Sequence, residues 1–141
     1  MKILLIILMV AVMASACKKG KDEPAPSAVN FQLASATFNG AAMDPTPNYQ
    51  LTLHFDAAGN PTQYEASGTA QVLPTPGSSG DWKQEGDKLV FSNADNERTV
   101  SILSGQVSPL SSRLEVAWSM QKTEIPWPQV GDYTYTFERS Q

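Results

Sequence analysis

Cysteine and histidine each occur once in the 141 residues, and that scarcity excludes whole classes of chemistry. One thiol makes no intrachain disulfide and no cysteine-built zinc or iron–sulfur site. One imidazole makes no histidine-rich metal centre, and its sequence neighbours supply no recognisable catalytic set. Charge is scarce as well, at 17% of residues against about a quarter in an average chain. Basic residues number 10 against 14 acidic, for a formal net charge of −4, and beyond Lys21 they nowhere cluster. An acidic module repels phosphate backbones, so nucleic acid is not expected as a partner. No G-x-S-x-G elbow and no phosphate-binding glycine loop is present. No window carries apolar residues at i, i+3, i+4 and i+7 for long enough to specify a helix.

Long apolar runs are limited to one, at the N-terminus. Met1-Lys2 precedes the uncharged stretch Ile3–Met13, about half the ~20 residues that a spanning helix needs. A lone Lys, a short apolar run and the small residues Ala14-Ser15-Ala16 make the layout of a secretory signal peptide. Cleavage is expected between Ala16 and Cys17, so residues 1–16 leave the mature chain. This junction resembles the lipobox of bacterial lipoproteins, in which a diacylglycerol is attached to the cysteine thiol. It departs at Ala14, where Leu is commonest, and Ala14-Ser15-Ala16 also satisfies the A-x-A rule of ordinary signal peptidase. The two readings differ on lipid. A secreted chain that otherwise avoids cysteine has little reason to keep a free thiol at its N-terminus. Cys17 is therefore read as the lipid-attachment site, with the membrane as its partner. Each buried methylene adds ~0.8 kcal/mol, and more than one acyl chain makes anchoring stable.

Residues 17–29 read as a tether. Lys18-Lys19-Gly20-Lys21-Asp22-Glu23 and Pro24-Ala25-Pro26-Ser27 carry charge and proline without apolar periodicity, which suits a mobile or semi-extended spacer. Lys18 is not the Asp that retains well-studied lipoproteins in the inner membrane. The stretch resembles the start of Bacteroidetes-type lipoproteins, where acidic residues soon after the cysteine accompany export to the outer face of the outer membrane. Asp22-Glu23 can equally be a solvated charge cluster with no addressing role. The expected location is the outer membrane, lipid-anchored, on the periplasmic side or at the cell surface.

Residues 30–141 form one domain of period two. Tyr49, Leu51, Leu53 and Phe55 alternate with polar residues, as do Leu114, Val116, Trp118 and Met120, and again Tyr133, Tyr135 and Phe137. Less regular strands are predicted at Phe31–Phe38, Gln63–Val72, Lys88–Ser92 and Arg98–Leu103, with a shorter one at Asp81–Gln84. Turn residues separate them at Gly59-Asn60-Pro61, Gly86-Asp87 and Asn93–Asn96, and Leu73–Gly80 is a longer loop. The fold class is all-β: about eight antiparallel strands in an up-and-down meander closing into a barrel, with a two-sheet sandwich as the alternative. The chain resembles the lipocalin-like domains of Bacteroidetes-type lipoproteins, many of which have no assigned function. The residues that carry the likeness are Leu33–Gly40, Leu51–Asp56 with Gly59, Ser79–Lys83, Gly86–Phe91, Arg113–Val116 and Tyr133–Arg139. Phe31 stands where that pattern usually has Trp.

Candidate functional residues are few. His54 lies on the outward phase of its strand, and Asp56 shares its face, so the two could pair; an exposed strand histidine is the plainer reading. Asp81, Glu85 and Asp87, and separately Asn93, Asp95, Asn96 and Glu97, flank turns, where Asp and Asn bond to nearby backbone. Neither stretch matches a calcium loop. No metal and no cofactor is called for. The aromatics offer more. Trp82, Trp118, Tyr133 and Tyr135, with Tyr49, Phe55, Phe91 and Phe137, occupy inward phases, where they either fill a small barrel or line a cup. Trp127, in Ile125-Pro126-Trp127-Pro128, is held between prolines, and would lid the barrel mouth, stack on a sugar or plug the core. Trp82, Trp118, Trp127, Tyr133 and Tyr135 are thus the candidate ligand-binding residues. The expected function is non-catalytic binding of a small apolar or sugar ligand. Its alternative is a structural or protein–protein module of an envelope complex, with a filled barrel and an exposed apolar patch or open strand edge.

Overall fold

The computed structural model describes residues 27–70, 73–94, 96–104, 107–121 and 130–141. The expected signal peptide, Cys17, the expected tether up to residue 26, Asp95 and the segment holding Trp127 lie outside the described residues. The described elements are β1 (Ser27–Phe38), β2 (Ala41–Ala42), β3 (Tyr49–Phe55), β4 (Pro61–Gly68), β5 (Ser79–Glu85), β6 (Lys88–Asn93), β7 (Asn96–Ile102), β8 (Arg113–Met120) and β9 (Gly131–Arg139). Among the described residues no helix is long and apolar enough to cross a membrane.

Alternation decides which way each strand faces. In β3, Tyr49, Leu51, Leu53 and Phe55 are buried while Gln50, Thr52 and His54 face outward. The same phase buries Leu114, Val116 and Trp118 in β8 and Tyr133, Tyr135 and Phe137 in β9. From β3 to β9 each strand pairs antiparallel with the next. β1 pairs with β3 along its first half and with β9 from Phe31–Arg139 to Phe38–Tyr133. The sheet therefore closes on itself as an eight-stranded up-and-down barrel, with β2 a short addition beside the end of β1. One continuous closed sheet replaces the two-sheet alternative, and closure removes the exposed edges of an open meander.

β1 serves two neighbours because it bends. Its register against β9 shifts between Leu33 and Ser35, and the inward phase passes from Val29, Phe31 and Leu33 to Ala36 across that irregularity. The strand also begins earlier than expected. Ser27, Ala28 and Val29, assigned above to the tether, pair with Phe55, His54 and Leu53, and Val29 is fully buried. A single apolar residue with a sheet partner was enough to draw them in. At the other margin, β4 stops at Gly68 rather than Val72. Gly68 has φ +132°, and a Cβ there would meet the Asn48 carbonyl oxygen. Thr69 N then donates to that same carbonyl at 2.8 Å, outside the ladder.

Antiparallel order sorts the connections to two ends. Ser27, Arg139, the Asp56–Asn60 turn, the Gly86-Asp87 turn and the β7–β8 link share the tether end. The β1–β3 link, the β4–β5 loop and the β6–β7 turn share the opposite, distal end. Between them the interior is filled with side chains. Phe31, Tyr49, Phe55, Tyr64, Phe91, Tyr135 and Phe137 have almost no exposure. Their rings meet edge to face, Phe55 on Trp82 at 5.2 Å and Tyr64 on Phe91 at 5.1 Å, an arrangement that aromatic quadrupoles favour.

Candidate functional site

The shortest ladder around the barrel lies between β7 and β8, and that between β4 and β5, with three pairs, is the next shortest. β6 and β7 pair from Lys88–Ser101 to Asn93–Asn96, and β8 and β9 pair from Arg113–Glu138 to Met120–Gly131. Between them, β7 and β8 pair only at Ser101–Ala117 and Ile102–Val116. The same register would next join Val100 to Trp118, Thr99 to Ser119 and Arg98 to Met120, and there the ladder stops. The inward side chains of the two strands are held on opposite sides of the split. Arg98 Nη1 donates to the Leu73 carbonyl of the β4–β5 loop at 2.7 Å. Trp118 stacks on Tyr133 of β9, with centroids 5.5 Å apart and planes 16° apart.

A cleft of about 580 Å³ occupies the split, within the several-hundred-Å³ range of small-molecule sites. Its inward-register lining is Arg98, Trp118, Met120 and Tyr133. Its outward-facing lining includes Lys88, Glu97, Thr99, Ser119 and Asp132. Asp132 Oδ1 is already engaged by the Ser119 hydroxyl.

Two polar groups here lack the partners that burial ordinarily requires. Arg98 is half-buried, and desolvation pushes its guanidinium pKa down. The ion pairs among the described residues are His54–Glu65, Lys83–Glu85 and Arg113–Glu115, none of which involves Arg98. Its contacts are the Leu73 carbonyl and, at 3.5 Å, Met120 Sδ, both made by Nη1. Trp118 Nε1 is buried with no hydrogen-bond acceptor. By contrast, Trp82 Nε1 donates to the His54 carbonyl at 3.1 Å.

Of the five residues expected to bind ligand, the structure brings Trp118 and Tyr133 into this cleft. Trp82 packs against Phe55 near the tether end and belongs to the filled core. Tyr135 meets Trp118 edge to face at 4.8 Å from inside the barrel but does not line the cleft. Burial pushes its hydroxyl up to about 12. Trp127 lies outside the described residues. The β4–β5 loop packs on the distal end. Thr75 is buried there, its hydroxyl bonds the Tyr49 hydroxyl at 2.9 Å and donates to the Gly77 carbonyl at 2.9 Å.

Sequence reasoning missed Arg98 and Met120. Arg98 had a legible signal, since it shares the phase of Val100 and Ile102, which are both buried; an arginine in an apolar register is worth following. Met120 was counted among core positions, where it lends its sulfur to the site. The His54–Asp56 pair does not form. His54 Nε2 lies 3.1 Å from Glu65 Oε2 across the β3–β4 ladder. Asp56 accepts from the backbone of Ala58 and Asn60, both at 2.9 Å, and locks its turn. Among the described residues no group of three or more His, Cys, Asp or Glu is placed to hold a metal ion.

No family model, curated protein or solved structure matches this chain. The functional reading therefore stands on the chemistry of the cleft and of the N-terminal segment.

Proposed function

We propose that this chain is a membrane-anchored extracytoplasmic lipoprotein whose lipocalin-like barrel, without catalytic activity, binds a small ligand in the β7–β8 cleft. The observation that carries the binding reading is the Trp118–Tyr133 stack in the wall of a 580 Å³ opening. The stack is largely buried, and the margin of it that reaches the opening, beside polar groups, suits contact with a small ring or a sugar. Large aromatic side chains are buried in the interior, and the split wall is the site we favour.

Anchoring is supported by Lys2, the run Ile3–Met13, Ala14-Ser15-Ala16 and Cys17. From Cys17 the chain reaches Ser27 at one end of the barrel, a span of at most ~35 Å when extended. Most of the cleft's lining lies toward the other end of the barrel, although Lys88 and Ser101 extend it toward the tether end. Replacing Cys17 with Ala should move the protein from the membrane fraction to the soluble fraction; retention would overturn anchoring by lipid. Ligand titration of the detergent-solubilised full chain should change the Trp118 fluorescence, and a Trp118→Phe variant should lose that change. A signal that survives in Trp118→Phe places the ligand elsewhere.

One observation favours the alternative of an envelope interaction module. The β7 stretch Asn96–Val100 has no β8 partner along the split, and an added strand from another protein would find main-chain groups there. A photo-crosslinker at Thr99 would join a protein partner in native envelopes under this reading and remain unreacted under the first.

A further inference from the structure

The ligand class follows from how Arg98 is held. A guanidinium has five N–H donors, and the pair on Nε and Nη2 forms a planar fork that matches the two oxygens of a carboxylate. In this site Nη1 takes the protein's acceptors, the Leu73 carbonyl and Met120 Sδ. Among the described residues the Nε–Nη2 fork has no acceptor, and Arg98 lines the cleft.

The charge environment leaves the fork uncompensated. The cleft's other charged groups are Lys88, Glu97 and Asp132, all outward-facing and exposed, and Asp132 is bonded by Ser119. None makes an ion pair with Arg98. A half-buried cation without a counter-ion is costly, and the cost falls when an anion enters with it. Beside the fork stand Met120 and the Trp118–Tyr133 stack.

We propose that the cleft binds a small organic carboxylate with a flat apolar body: the carboxylate seats on the Nε–Nη2 fork of Arg98 and the body lies against Trp118, Met120 and Tyr133. This rests on the reading of the cleft as a small-ligand site and names its ligand class. Arg98 fixes specificity through charge and fork geometry, and the aromatic wall supplies area with little selectivity.

The test uses 2-naphthoate and its neutral counterpart 2-naphthamide, which share a ring body and differ in charge. Each is titrated calorimetrically into the detergent-solubilised full chain. Charge-assisted pairing should make the acid bind about ten- to a hundredfold more tightly than the amide. Arg98→Gln should erase that preference, Arg98→Lys should keep only part of it, and Lys83→Gln, outside the cleft, should leave it intact. Equal binding of acid and amide by the unmodified protein overturns the carboxylate assignment while leaving a small-ligand site standing. No binding of either at ~1 mM overturns both. Loss of the preference in Lys83→Gln instead of Arg98→Gln overturns the role given to Arg98. Because the acid–amide comparison is made on the unmodified protein, it stands even where a variant does not fold.

Discussion

Two tryptophans point into the same barrel under opposite conditions. Trp82 sits near the tether end with its ring edge-on to Phe55, its indole N–H on the His54 carbonyl, and its residue paired with Phe91 of β6. Trp118 sits near the distal end with its indole N–H unpartnered, its strand parted from β7, and a half-buried arginine lining the same cleft. The indole N–H of Trp82 is satisfied and that of Trp118 is not, while the Tyr64 hydroxyl, outside the cleft, is likewise buried without a partner. Binding sites are commonly drawn from such less satisfied regions, because groups left without partners in the free protein are available to a ligand.

The sharpest way to break this comparison is truncation. Trp82→Ala should cost ~3–5 kcal/mol of stability, since it empties a closed part of the core. Trp118→Ala should cost less, because that ring lines the cleft and keeps slightly more exposure, 8% against 3%. Paired urea unfolding midpoints measure the difference, and equal losses would mean that the two halves are packed alike. The Phe variants refine the point. Trp82→Phe loses a hydrogen bond worth ~1 kcal/mol that Trp118→Phe does not.

Alkaline pH should act mainly on the open half. Burial raises the pKa of Tyr49 and Tyr135, which lie in contact with each other. The neutral phenols are thus favoured in the fold, so their contribution is complete below the ordinary tyrosine pKa of about 10 and is lost as pH rises above it. With its hydroxyl at about 12, Tyr135 alone should withdraw ~1.4 kcal/mol by pH 11, and Tyr49 adds in the same direction. Thermal melts between pH 8 and 11 should show the decline. It should be shallower in Tyr135→Phe, and an unchanged slope would count against the role of this hydroxyl.

Stability and binding should part company at Arg98. Replacing it with Met removes a half-buried cation that has no carboxylate partner, so the fold should gain ~1 kcal/mol while the preference for an acid disappears. A loss of stability instead would mean that the bond to Leu73 outweighs the desolvation of the charge.

Much of the fold was legible because it depends on local alternation. Tyr49–Phe55, Leu114–Trp118 and Tyr133–Phe137 each show their buried face directly in the sequence, and the turns at Gly86-Asp87 and Gly59-Asn60-Pro61 divide the strands. The margins depended on tertiary partners that no pattern announces. Ser27–Val29 became strand because Leu53, His54 and Phe55 offered a ladder, and β4 ended where Gly68 met the Asn48 carbonyl. The site was half legible. Aromatic content pointed to Trp118 and Tyr133, but equally to Trp82 and Tyr135, whose difference lies in hydrogen-bond partners and seam closure. The split itself is a failure of pairing between β7 and β8, and each strand alone reads as an ordinary one.

The smallest effect separates the tight turns from the open seam. Asp56 is a surface residue whose carboxylate is held below the usual range, chiefly by the bonds from Asn60, with Ala58 and Gly59 adding to them. A depressed carboxylate stabilises the fold above its unfolded pKa, and that contribution is lost as pH falls through the folded value. Asp56→Ala should therefore lower the melting temperature slightly at pH 7, and the gap from the unmodified protein should close as the pH is taken below 4. Because the turn lies at the tether end, away from the split, 2-naphthoate affinity should be the same in both proteins. A change in affinity would show that the two ends of the barrel are coupled, which the local character of the Asp56 bonds argues against.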